Sequence, residues 1–231
     1  MFVPAGTSIA EYPHGGTQPI AVLSDPYGGA DYCAVDRTTG NLAVSPTVVV
    51  YAHAKGKGKA YPGGNEYGNR SCTYDDKGDL FVNGISYVGS LSPVDRSRRI
   101  RPADAPMGVV ELRKGRTRFS TIGFPVLLDF ASIQWDGKYI AVGAVGPTDI
   151  GRFRIDRSEA RIVAPWAGLE LAGAIDQFWI QDKTVIVPSY QIPGEWHTAV
   201  YFYNYPAGGM PTKTVEGLNH PAGVTVSLAP E

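Results

Sequence analysis

The stretch CAVDRTTGNLAVS at 33–45 decides the fold, because it returns as CTYDDKGDLFVNG at 72–84 and as IQWDGKYIAVGA at 133–144. Weaker copies stand at 178–189 (FWIQDKTVIVPS) and, cut short, at 224–231 (VTVSLAPE). Each full copy is an apolar run, a polar turn built on Asp, Gly or Lys, and a second apolar run. That is the pattern of two strands joined as a hairpin. A second hairpin precedes every copy, at 9–23, 48–62, 109–122, 151–163 and 200–215.

The repeat is therefore a four-stranded unit. The phase residues Cys33, Cys72, Ile133, Phe178 and Val224 are separated by 39, 61, 45 and 46 residues. Units of ~40–50 residues with four short strands are the blades of a β-propeller. The longest interval exceeds its neighbours by too little to hold another blade, so the reading is all-β: a single domain over 1–231 with five blades of four antiparallel strands. The units run about 8–45, 47–84, 107–145, 149–190 and 198–231 with 1–5, and a long loop is inserted at 85–106. The last unit lacks an inner strand, and Phe2-Val3-Pro4-Ala5 matches Phe81-Val82-Asn83-Gly84 in phase. We expect the N-terminal strand to complete the last blade by pairing with Val224-Thr225-Val226, which removes the free edges of an open array.

Composition agrees. Of 231 residues, 28 are Gly and 18 Pro, 43% are hydrophobic and 11% aromatic, which excludes long helices and disorder. The net charge of −1 argues against a nucleic-acid-binding body. No apolar run approaches the ~20 residues that cross a bilayer as a helix, so neither nucleic acid nor membrane is an expected partner. Residues 1–6 lack a charged n-region and an apolar h-region, and any secretion signal is expected to be absent or removed.

The segments Cys33-Ala34-Val35-Asp36 with Thr39-Gly40-Asn41-Leu42-Ala43-Val44, and Tyr74-Asp75 with Lys77-Gly78-Asp79-Leu80-Phe81-Val82, resemble the NHL-type propeller repeat. The Tyr-Pro-(His or Ala)-Gly-Gly turns at 12–16 and 205–209 resemble those of secreted soil-bacterial propeller proteins. The resemblance implies an extracellular or periplasmic protein. A more distant similarity is to gluconolactonase-type propellers, which hold a divalent metal in the central channel. This chain departs from them after Asp136-Gly137-Lys138, where Tyr139-Ile140-Ala141-Val142-Gly143 offers no Asp at the ligand position. No cofactor is expected, and no motif supports a metal at the channel mouth.

In a propeller, the blade-to-blade loops and the loops between second and third strands emerge on one face. Two of the latter, 83–106 and 189–197, exceed hairpin length, and long loops concentrate function. Repeat alignment puts Asp31, Arg70 and Asp176 in one column. With Tyr32, Glu66, Asp129, Tyr190, Trp196, His197 and His220 they form the candidate ligand-binding rim, against the plainer reading that they cap turns and solvate the surface. His197 and His220 lack companions at zinc-like spacing, and His14 and His53 occupy equivalent positions on the opposite face. Cys33 and Cys72 share a repeat column and read as small buried hydrophobes, with a disulfide between adjacent inner strands as the alternative.

Residues 95–118 carry eight basic and three acidic side chains. Arg96–Arg101 falls in the long loop and Arg113–Arg118 in a turn at the other end of the blade, so they are not expected to form one surface. Lys55-Gly56-Lys57-Gly58-Lys59 has the composition of a phosphate loop without a following helix. The expected function is non-catalytic binding of a small polar molecule, a glycan or a protein partner by a monomer. The alternative is a channel-mouth lactonase or lyase using Asp31, Asp176, His197 or His220.

Overall fold

The protein is described from a computed structural model, which covers residues 1–63, 69–85, 107–126, 128, 132–143, 148–170, 175, 177–189 and 199–218. Its regular structure is β. Four of the five sheets are four-stranded antiparallel meanders, and the fifth shows three strands among the described residues. They are the blades of a five-bladed β-propeller. The chain forms two compact units, Met1–Ile122 with Ser227–Glu231, and Gly123–Val226.

In the first unit, β1 (Phe2–Ala5), β2 (Ser8–Glu11) and β3 (Ala21–Ser24) make the three-stranded sheet. The next sheet is β4 (Tyr32–Val35), β5 (Leu42–Ser45), β6 (Val49–Tyr51) and β7 (Lys59–Ala60). The third is β8 (Asn69–Tyr74), β9 (Leu80–Ile85), β10 (Met107–Leu112) and β11 (Ser120–Ile122). The second unit holds β12 (Ile133–Trp135), β13 (Ile140–Gly143), β14 (Asp149–Asp156) and β15 (Glu159–Gly168). It also holds β16 (Trp179–Gln181), β17 (Thr184–Ser189), β18 (Ala199–Asn204) and β19 (Gly208–Val215).

Each four-stranded sheet takes the inner hairpin of one sequence unit and the hairpin that follows it. The repeat columns carry into the register: Cys33 faces Val44, Cys72 faces Val82 and Ile133 faces Val142. Alternate strand residues point to opposite sheet faces, so a blade buries both. This is why β5 and β13 read as continuous apolar runs and are buried at every position. Core clusters fill the spaces between neighbouring sheets within each unit. Ala43, Val48, Cys72, Leu80 and Val82 pack together in the first, and Ala141, Ile150, Phe178, Val185 and Tyr203 in the second. Phe2–Ala5 pairs with Ser8–Glu11. Its expected partner 224–226 lies outside the described residues.

Candidate functional site

The inner strands enter their sheets from the blade-to-blade loops, and the structure fixes that entry with Ser45, at the end of β5. Its carbonyl accepts the Asp31 N–H at 3.0 Å. Its hydroxyl donates to the Arg70 carbonyl at 3.3 Å, and Tyr32 lies directly across the β4–β5 ladder from it. Ser45 is 1% exposed, so one buried residue braces the start of β4 through its carbonyl and the start of β8 through its hydroxyl. Asp31 and Arg70 both present exposed side chains there, and Tyr32 is half-buried. Ser71, the next residue, is held from its own sheet: its N–H and its hydroxyl both donate to Asn83 Oδ1 at 2.9 Å.

Three of the candidate rim residues, Asp31, Tyr32 and Arg70, are thus brought together at one end of adjacent inner strands. Glu66, Asp129, Asp176, Tyr190, Trp196, His197 and His220 lie outside the described residues, as do 86–106 and 190–198 of the two long loops. Ser45 and Asn83, the residues that order this end, were not among the candidates. Their signal was present in the repeat, since both follow the Val44 and Val82 column by one position.

The opposite end of the strands is organised by the Asp that follows the phase residues Cys33, Cys72 and Ile133 by three. Asp36 accepts from the Thr38 N–H and hydroxyl, both at 2.8 Å, and from the Thr39 hydroxyl. Burial pushes its carboxyl up, but these hydrogen bonds and the nearby Lys114 ammonium outweigh it and hold the carboxyl below its ordinary value. Asp75 accepts the Lys77 and Asp79 N–H groups at 2.9 Å. There burial wins and the carboxyl is raised.

In the second unit Asp136 takes the Lys138 and Tyr139 N–H groups on Oδ1 and the Arg152 Nε and Tyr205 hydroxyl on Oδ2. The Arg152 guanidinium lies 4.8 Å from the Tyr139 ring centroid and 5.5 Å from that of Tyr205. Such Asx turns satisfy the backbone donors a tight turn would otherwise bury unpaired. Their carboxylates are committed to structure.

Cys33 and Cys72 are both free thiols. Burial pushes the Cys33 thiol up to about 11 despite the opposing N-terminal ammonium, and burial also raises Cys72. Cys72 is the buried small side chain that its column suggested, and Cys33 is partly buried against its core cluster. Among the described residues no group of three or more His, Cys, Asp or Glu is placed to hold a metal ion, and no helix is long and apolar enough to cross a membrane.

No family model matches the chain, and no curated protein matches it. Solved structures do, and all those described here are propellers. A gluconolactonase from Xanthomonas campestris aligns at 14% identity and a TM-score of 0.60, over 88% of this chain and 67% of that one. A chain of the nidogen/laminin complex aligns at 13% identity and a TM-score of 0.63, over 98% and 81%. U3-55K aligns at 10% identity and a TM-score of 0.60, over 93% and 60%, so this chain spans about three fifths of that protein's length. At these identities the likeness is one of fold, and the propellers sharing it include binding and enzymatic proteins alike.

Proposed function

We propose that this chain is a non-catalytic binding propeller, exported and monomeric, that takes a small polar molecule, a glycan or a protein partner at the loop end of its blades. The observation that carries the reading is the Ser45 brace. It fixes the backbone beneath two exposed side chains of opposite charge, Asp31 and Arg70, beside the half-buried Tyr32. An acid and a guanidinium carried on a braced backbone, beside an amphipathic ring, orient a polar ligand through hydrogen bonds while offering it apolar area. Tyr190, Trp196 and His197, which lie outside the described residues, are proposed as further ligand-binding residues on the sequence pattern alone. The buried carboxylates Asp36, Asp75 and Asp136 are engaged by their own turns, which leaves them no part in acid–base chemistry. The fold likeness to nidogen in its laminin complex supports a protein partner, and the likeness to a gluconolactonase keeps a lactone in the test.

The test is a thermal-shift panel of sugars, sugar acids and lactones against the wild type, Asp31→Ala/Arg70→Ala and Tyr190→Ala/Trp196→Ala. The reading expects a saturable stabilisation in the wild type that both double variants reduce. Lactone hydrolysis above the buffer rate, lost in Asp31→Ala, would overturn it in favour of a channel-mouth enzyme.

A further inference from the structure

At the end of β4 and β8 remote from Asp31 and Arg70, four turns of the first unit are tied together by side chains. The Lys114 ammonium donates to the Thr38 hydroxyl at 2.9 Å and the Lys114 N–H to Asp79 Oδ1 at 2.8 Å. The β10–β11 turn is thereby joined to both the β4–β5 and the β8–β9 turns. The β6–β7 connection is joined in turn by His53, whose N–H donates to Asn41 Oδ1 at 3.0 Å and whose Nδ1 meets the Thr39 carbonyl at 2.7 Å. Gly78 lets the turns close, with φ of 83° and room for only an ideal Cβ 3.0 Å from Asp36 Oδ2.

This arrangement gathers two basic segments that are distant in sequence. Lys55, Lys57 and Lys59 come from the β6–β7 segment, and Lys114, Arg116 and Arg118 from the β10–β11 turn, all exposed. Nearby acids have partners in the fold and are outnumbered by these six basic side chains: Asp36 accepts from its threonines, Asp79 accepts the Lys114 N–H, and Glu111 pairs with Arg113 Nε at 2.9 Å. Asp76 is exposed. Beside the β10–β11 turn lies a cleft of about 80 Å³. Tyr61, Tyr74, Leu80 and Leu112 line it together with Asp36, Lys114 and Arg116.

We infer that this turn end is a docking surface for an acidic peptide segment of a partner protein, with an apolar side chain in the cleft and flanking carboxylates on the lysine and arginine rim. Charge complementarity selects an anionic partner. The composition of the face selects a peptide over a nucleic acid. The Lys59 ammonium sits 4.8 Å from the Tyr61 ring centroid, so that ring offers no open platform for base stacking. The exposed Asp76 interrupts any continuous phosphate track. Separated carboxylates around one apolar side chain meet neither obstacle. The surface lies at the opposite end of the same strands from the proposed ligand rim and does not depend on it.

The experiment is fluorescence anisotropy with a labelled peptide of about ten residues alternating Glu and Leu, compared with a single-stranded oligonucleotide of equal charge. The proteins are the wild type, Lys57→Glu/Arg116→Glu and Asp31→Ala/Arg70→Ala. The inference expects peptide binding that weakens with salt, falls by about tenfold or more in the first variant, and is unchanged in the second. Equal thermal melts of the variants and wild type accompany the comparison. Absent peptide binding, binding unaffected by Lys57→Glu/Arg116→Glu, or tighter binding of the oligonucleotide would overturn it.

Discussion

The Tyr205 hydroxyl donates to Asp136 Oδ2 at 2.8 Å, and so a turn residue between β18 and β19 is bonded to the turn Asp between β12 and β13. Arg152 Nε reaches the same oxygen at 3.0 Å, with its side chain 14% and that of Asp136 2% exposed. Removing the carboxylate leaves a largely desolvated guanidinium without its counter-charge. Asp136→Ala is expected to cost roughly 3–5 kcal/mol, whereas Tyr205→Phe, which deletes a single bond to a charged acceptor, costs roughly 1.5–3 kcal/mol. Urea unfolding of both variants checks the order. Equal costs, or a larger one for Tyr205→Phe, contradict it.

A second junction in that unit uses an amide in place of a strand. Gln134 Nε2 donates to the Ile180 carbonyl at 2.9 Å, and the Ile180 N–H donates to Gln134 Oε1 at 2.6 Å. Phe178 N–H donates to the Ser132 hydroxyl at 3.2 Å just beside it. Gln134→Leu leaves both Ile180 backbone groups without these partners and is expected to destabilise by about 2–4 kcal/mol. Gln134→Glu retains the acceptor and loses the donor, so at neutral pH it falls between wild type and Gln134→Leu. A thermal-melt series in which Gln134→Leu is indistinguishable from wild type contradicts the junction.

Tyr203 has the opposite problem. It is fully buried in its core cluster, and its hydroxyl has no hydrogen-bond partner among the described residues. Burial pushes its phenol up to about 12. Tyr203→Phe removes an unsatisfied group of the same shape and is expected to be neutral or to stabilise by up to about 1 kcal/mol. A loss greater than about 1 kcal/mol in chemical denaturation means the hydroxyl has a partner.

The hairpins, the blade count and the inner-strand columns were legible in the sequence because strand alternation and turn chemistry are local, and five copies reinforce one another. The aligned Asp31 and Arg70 were also legible, as equivalent positions of adjacent repeats. Ser45, Gln134 and Lys114 were not. Each makes a side-chain bond to a segment 25 to 76 residues away, and an isolated Ser, Gln or Lys carries no periodic signal of such a partner. Nor was the gathering of the Lys55–Lys59 and Arg113–Arg118 turns legible, since it depends on the bonds by which His53 and Lys114 tie those turns to their neighbours.

The acid limb of stability follows from Asp36. Its folded carboxyl titrates below its unfolded value of about 3.9. The ionised form therefore contributes stability that is fully present above about pH 4 and is lost as pH falls through the folded value. Asp75 is raised by burial, so its ionisation destabilises the fold, and that penalty is relieved as pH falls through its folded value. Asp36→Asn is expected to be less stable than wild type at pH 7, with a gap that narrows below about pH 4. A constant gap from pH 7 to pH 3 contradicts this role.

Burial protects the thiols. With Cys33 raised to about 11 and Cys72 higher still, little thiolate forms near neutral pH. Native protein is expected to react with an aromatic disulfide reagent at pH 8 far more slowly than the urea-unfolded chain, which releases both thiols. Rapid native labelling of either cysteine contradicts its packed position.

The claim that ligand binding belongs to the loop end is tested most directly by hydrogen–deuterium exchange with and without the strongest stabilising compound of the sugar and sugar-acid panel. The account predicts slowed exchange in segments 27–32 and 69–71, where Ser45 braces Asp31 and Arg70, with the turns at 36–41 and 112–119 unchanged. Protection confined to those turns, or no protection at 27–32 and 69–71, would contradict it.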